Sequence, residues 1–175
     1  MDILLILVVV TVTIVLIFDY TNGFHDASNM IATVVASRAM TPIQAVILVG
    51  TFHFIGPVLG GTAVANTIGK FVDVSALDSI ASMTIILCGI AGAIGWNILT
   101  WWFGIPSSSS HALVGGLTGA VIVAAGPGYV VWGFSQLADG HLTGVTKVLL
   151  SLIISPIIGF WMGFWIHRGA GFLVQ

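Results

Sequence analysis

An all-α membrane protein is the fold class that this sequence predicts, and three features predict it. Of 175 residues, 58% are hydrophobic and 6% charged, with a mean hydropathy of +1.15, more than the core of any soluble domain needs. About five apolar stretches approach the roughly 20 residues that a spanning helix needs. Two of these break into dense polar runs, Asn22-Gly23-Phe24-His25-Asp26-Ala27-Ser28-Asn29 and Pro106-Ser107-Ser108-Ser109-Ser110-His111. Such groups are costly in a bilayer and usually mark an ion or substrate path.

The stretches are 3–35, 43–68, 80–103, 113–125 and 148–166. The first is too long for one straight span and carries Asn22-Gly23 in its middle, which predicts a broken helix. Its opening run, 3–18, has neither a basic n-region nor a small-residue cleavage site, so it reads as retained rather than as a signal peptide. The second, third and fifth read as ordinary spans. The fourth is too short unless the Pro-Ser run before it also lies at membrane depth, which predicts a re-entrant or discontinuous helix. Non-helical backbone survives at that depth only where protein buries it or where it lines a wet cavity, so two broken elements predict a shared cavity. Residues 126–146, with Pro127, Asp139, Gly140 and His141, read as an extramembrane loop with a short amphipathic turn over 131–137.

The pairs Gly56/Gly60, Gly115/Gly119 and Gly159/Gly163 have the spacing of close helix contacts and read as packing. No linker interrupts the chain, so residues 1–175 read as a single transmembrane unit. Arg38, Lys70, Lys147 and Arg168 are its only basic residues. They form no patch that could follow a nucleic-acid backbone, and they divide evenly between the two sides of the membrane, which leaves orientation open. Cys88 has no partner for an internal disulfide and reads as a small buried hydrophobe.

Asp19, Asn22, Asp26, Asn29 and Thr33 are spaced 3, 4, 3 and 4 apart, which at 100° per residue puts them in one narrow arc of a helix. Carboxylate, amide and hydroxyl oxygens on one wall suit Na⁺ or another hard cation, and a carboxylate can take up H⁺ instead. Asp26 is the leading cation ligand of this set. The alternative is that these polar groups cap a helix or bond to neighbouring helices. His25 lies off the arc and reads equally as a packing partner or as a proton-sensitive lining residue.

In the second run, Gly104-Ile105-Pro106 followed by four serines has the composition of a helix start. The backbone N–H groups at such an end, with serine hydroxyls, form a neutral site for a tetrahedral oxyanion; the alternative is a serine cap facing water. A transition-metal site of His25, His53 and His111 is not expected, because no His pair has helical spacing and no Cys pair exists. An intramembrane serine hydrolase is disfavoured too, since Ser110 and His111 point apart and no G-x-S-x-G elbow occurs.

At these two segments the chain resembles the inorganic phosphate transporter (PiT) family. The first motif reads Asn22 to Asn29 with Ile31-Ala32-Thr33-Val34-Val35, and the second reads Gly104 to Leu113 followed by Val114-Gly115-Gly116; Asp19 matches an acidic position before the first. The resemblance implies a non-enzymatic, cation-coupled phosphate symporter working by alternating access, with no cofactor beyond Na⁺ or H⁺. It implies that Asp26 and Asn29 help coordinate the cation and phosphate, with Asn22 added to the cation ligands from the arc, and that Ser107, Ser108, Ser109 and Ser110 cradle phosphate oxygens. Asp19, His25, Thr33 and His111 become possible lining residues. Family members are built from two inverted copies of such a unit, so this chain would be one repeat, needing a second repeat or a second copy of itself as partner. The implied location is the plasma membrane of a bacterium or archaeon, crossed several times. Sulfate or another tetrahedral oxyanion is the rival substrate, and a pore or assembly subunit is the rival class.

Overall fold

A computed structural model describes residues 3–60, 66, 69–70, 72–75 and 77–174. The described residues form helices α1 (Ile3–Ala36), α2 (Pro42–Gly60), α3 (Ser79–Trp102), α4 (Ser109–Ala124), α5 (Phe134–Ala138) and α6 (Gly144–Val174), with a 3₁₀ turn at Pro127–Tyr129. Helices α1, α2, α3 and α6 are long and apolar enough to cross a membrane. Helix α4, with 16 residues, spans about 24 Å against a hydrocarbon core of about 30 Å.

The expected break in the first helix is absent. Helix α1 runs through Asn22-Gly23 for 34 residues, or about 51 Å. One helical glycine costs only about 1 kcal/mol, and the polar side chains beside it do not take bonds from the helix. Thr21 and Ser28 instead return their hydroxyls to the carbonyls of Phe18 and His25. Past the last helical residue, Ala36, Arg38 adopts φ +57° while its N–H bonds to Val35 O and that of Ala39 to Val34 O. This is a Schellman ending with arginine where glycine is usual.

Helix α3 starts on Asp78, whose carboxylate accepts from Ile80 N. It runs parallel to α1: Thr11 meets Met83 near one end and His25 meets Thr100 near the other. Helix α4 returns antiparallel along α3, and Phe18, Ile85, Ile90, Ala93, Val114, Leu117 and Val121 form the core among the three. Glycine sets the α3–α4 approach, but not the glycine that spacing picked out. A Cβ on Gly116 would stand 2.3 Å from Gly89 O, and one on Gly89 would stand 2.8 Å from Leu117 Cα. At all six positions of the three spaced pairs an added Cβ would meet nothing within 4 Å, because no described helix lies over those faces. Cys88, expected to be buried, is exposed on α3.

The discontinuity expected at the serine run is present. After α3, Gly104 takes φ +63° and Ile105 N bonds back to Thr100 O. Non-helical backbone then continues to Ser108, the N-cap of α4. At the far end of the bundle, Val72 pairs with Val130 in an isolated antiparallel bridge, and Val145 N and Thr146 N bond to Val131 O and Trp132 O. The short turn expected over 131–137 appears as α5. Beyond Leu152, the described side chains of α6 leave the core, and α2 contributes only Ala45 to the buried set. Most of both helices is left for lipid or another polypeptide.

Candidate functional site

Because α1 stays helical, the arc of Asp19, Asn22, Asp26, Asn29 and Thr33 is continuous, and α4 begins against its middle. Ser109, only 2% exposed, donates its hydroxyl to Asp26 Oδ2 at 2.7 Å and also meets Asn22 Oδ1. One hydroxyl proton cannot serve both oxygens at once. A carboxylate, an amide oxygen and a hydroxyl so placed form an electron-rich cluster of hard donors, the set that a Na⁺-like cation takes.

One turn further along α1, Asn29 Nδ2 donates to Ser107 O at 3.4 Å, and Ser107 Oγ accepts from Trp96 Nε1 at 2.9 Å. The non-helical tip is thus held from both α1 and α3. His25 is 3% exposed, with Nδ1 3.2 Å from Asp26 Oδ1 and Nε2 3.2 Å from Thr100 Oγ1. The Thr100 hydroxyl also lies 2.8 Å from Trp96 O, so the ring bridges Asp26 on α1 and Thr100 on α3.

The serine run divides by role. Ser108 caps α4 by accepting from His111 N at 3.4 Å, Ser109 turns into the arc, and Ser110 is exposed. A cavity of about 120 Å³ lies between α1 and the tip, lined by His25, Ser28, Asn29, Thr100 and Gly104 among others. A larger space of about 650 Å³, lined by Ser107, Ser108, His111, Trp96 and Gly92, opens on the other side of the same tip. Asp19 and Thr33 sit on the exposed ends of the arc, and no hydrogen bond ties either to the serines among the described residues.

Spacing did not single out three polar residues of α3. Thr100 and Trp96 hold His25 and Ser107, and Asn97 is fully buried with neither amide atom partnered among the described residues. Leaving both ends of an amide unsatisfied in a dry core costs several kcal/mol, so Asn97 has bonding capacity for a water or an ion. Its signal in the sequence was slight: Asn97 and Thr100 are three apart in an otherwise apolar span.

The model of the "Phosphate transporter family" matches residues 22–174. A Streptomyces halstedii protein named "Probable low-affinity inorganic phosphate transporter" is 42% identical over 92% of this chain and 70% of its own length. A Bacillus subtilis protein of the same name is 45% identical over 94% of this chain and 46% of its own length. A solved structure described as "The sodium-dependent phosphate transporter" superposes with a TM-score of 0.75 at 27% identity, over 93% of this chain and 38% of that one. The match begins at the first polar motif and takes in the second, and the four long apolar helices make this a multi-pass integral membrane protein. By the extent of that match, and by its 42% identity with a relative of which it spans more than two thirds, the chain belongs to the phosphate transporter family.

Proposed function

We propose that residues 1–175 form one transmembrane unit that supplies half of the substrate cavity of a cation-coupled inorganic phosphate symporter working by alternating access. The observation that carries this reading is the contact of Ser109 with Asp26 and Asn22, which joins two polar motifs more than 80 residues apart. In it, Asp26, Asn22 and Asn29 hold the coupling cation, with Asn97 as a further oxygen donor. The tip Ser107 to Ser110, with Asn29, holds phosphate oxygens through hydroxyls and the N–H groups at the start of α4. Asp19, His25, Thr33 and His111 line the approach.

Na⁺ is the favoured driver. The donors are hard oxygens, and the solved relative is described as sodium-dependent. The contact between His25 and Asp26 favours H⁺ as the second reading. The other half of the cavity comes from a second repeat or a second copy of the chain; that the chain spans under half of the Bacillus relative and of the solved transporter supports this. The test is radiolabelled phosphate uptake into proteoliposomes under an imposed Na⁺ or H⁺ gradient, with this chain alone and with a second repeat supplied. Gradient-driven uptake only with both halves, abolished by Asp26→Asn and resistant to excess sulfate, is expected. Robust uptake by the chain alone, or near-normal uptake by Asp26→Asn, overturns the reading. Conductance without saturable uptake makes the chain part of a pore.

A further inference from the structure

A second polar cavity, of about 560 Å³, lies at the opposite end of the bundle. It is set between Asn66 and Lys70, the loop carrying α5, and the first turn of α6. Thr100 stands in the last turn of α3, whereas this cavity borders the loop tied to Val72–Val74 just before the same helix, about 30 Å away along it. Two of the chain's four basic residues, Lys70 and Lys147, line it together with Asn66, Gln136 and Thr143, and none of the described residues that line it is acidic. Gln136 Oε1 already receives the hydroxyls of Ser135 and Thr143, which leaves its amide NH₂ as a donor. Two ammonium groups and an amide NH₂ offer donors to an anion rather than acceptors to a cation.

The cavity has a built floor. Gly144 takes φ +56°, and a Cβ there would stand 1.8 Å from Val131 O; Gly133 takes φ +81°, and its Cβ would stand 2.2 Å from Thr143 O. The two segments cross at a distance that only glycine permits, and the N–H groups of Val145 and Thr146 pin them together. The place is interfacial as well. The long apolar run of α6 starts at Val148, immediately after Lys147, and Trp132 stacks on Phe134 beside the cavity with ring centroids 6.3 Å apart. Aromatic rings next to basic side chains at the end of a span are the pattern of a headgroup zone.

We propose that the cavity of Lys70 and Lys147 binds a phosphate group at the membrane surface, separately from the motif site. An anionic phospholipid headgroup and free inorganic phosphate present the same chemistry, and the experiment separates them. The purified chain is placed in nanodiscs of phosphatidylcholine with or without phosphatidylglycerol, and lipid retention is read by native mass spectrometry. In pure phosphatidylcholine nanodiscs, inorganic phosphate is titrated against Trp fluorescence. The variants are Lys70→Gln with Lys147→Gln, and Lys70→Arg with Lys147→Arg.

The expected result is a preference for phosphatidylglycerol that falls about fivefold for each lysine removed, is kept by the arginine pair and weakens with salt. A lysine-dependent response to inorganic phosphate with no lipid preference makes free phosphate the ligand. If the glutamine pair matches the parent chain toward both ligands, the proposal is overturned; the arginine pair shows that any loss reflects charge and not misfolding.

Discussion

Replacing Ser109 by alanine removes one oxygen and nothing else that holds α4 in place, since the cap of that helix belongs to Ser108. The lost hydroxyl donates to a carboxylate at 2.7 Å in a site where Ser109 is 2% exposed. A hydrogen bond to a charged group contributes about 1.5–3 kcal/mol, equivalent to about 10- to 150-fold in an equilibrium constant. The deletion also leaves Asp26 Oδ2 and Asn22 Oδ1 with no hydroxyl between them. The expected outcome is a rise of about 10- to 150-fold in the Na⁺ concentration for half-maximal phosphate uptake, measured in proteoliposomes containing this chain with a second repeat. Two controls separate site from fold. Ser108→Ala should lower thermal stability by about 0.5–2 kcal/mol through loss of the cap with a smaller change in Na⁺ requirement, and Ser110→Ala should change neither. A folded Ser109→Ala protein with an unaltered Na⁺ requirement would refute the assignment of the Asp26 cluster as the cation site.

At the α3–α4 crossing, Gly116→Ala forces a Cβ to within 2.3 Å of Gly89 O and should cost about 1–3 kcal/mol by overpacking. Gly115→Ala, where a Cβ meets nothing within 4 Å, should stabilise α4 by up to about 1 kcal/mol; melting in detergent ranks the two. Asn97→Leu should raise the melting temperature in the absence of Na⁺, because it removes a buried amide without partners, and should weaken the stabilisation that added Na⁺ gives. In the loop before α3, the Ser75 hydroxyl and N–H both donate to Asp73 and hold its carboxyl below the ordinary carboxylate range. The turn's contribution to stability is therefore present above the ordinary carboxylate pKa and is lost as pH falls through the lowered value. Ser75→Ala should return the Asp73 carboxyl toward its ordinary value in an NMR titration.

The membrane class and the two polar motifs that meet in the candidate site were legible in the sequence because both depend on composition and on local spacing. Apolar runs long enough to span are cheap to recognise, and polar residues within them are costly enough to stand out. The 3-4-3-4 spacing from Asp19 to Thr33 specified one helical face, and the Gly-Ile-Pro-Ser run specified a helix start; α4 indeed begins at Ser109. The continuity of α1 was not legible. Glycine beside asparagine has poor helix propensity, but packing against α3 outweighs about 1 kcal/mol, and that packing is not local. Nor could spacing reveal which glycines matter. Gly89 and Gly116 touch only because α3 and α4 run antiparallel, whereas the evenly spaced pairs lie on uncovered faces. The contact of Thr100 with His25, the turning of Ser109 toward Asp26 while Ser110 faces outward, and the placing of Lys70 and Lys147 on one cavity all join distant parts of the chain. Local sequence sets which face a residue occupies, and only the packing of helices decides what that face meets.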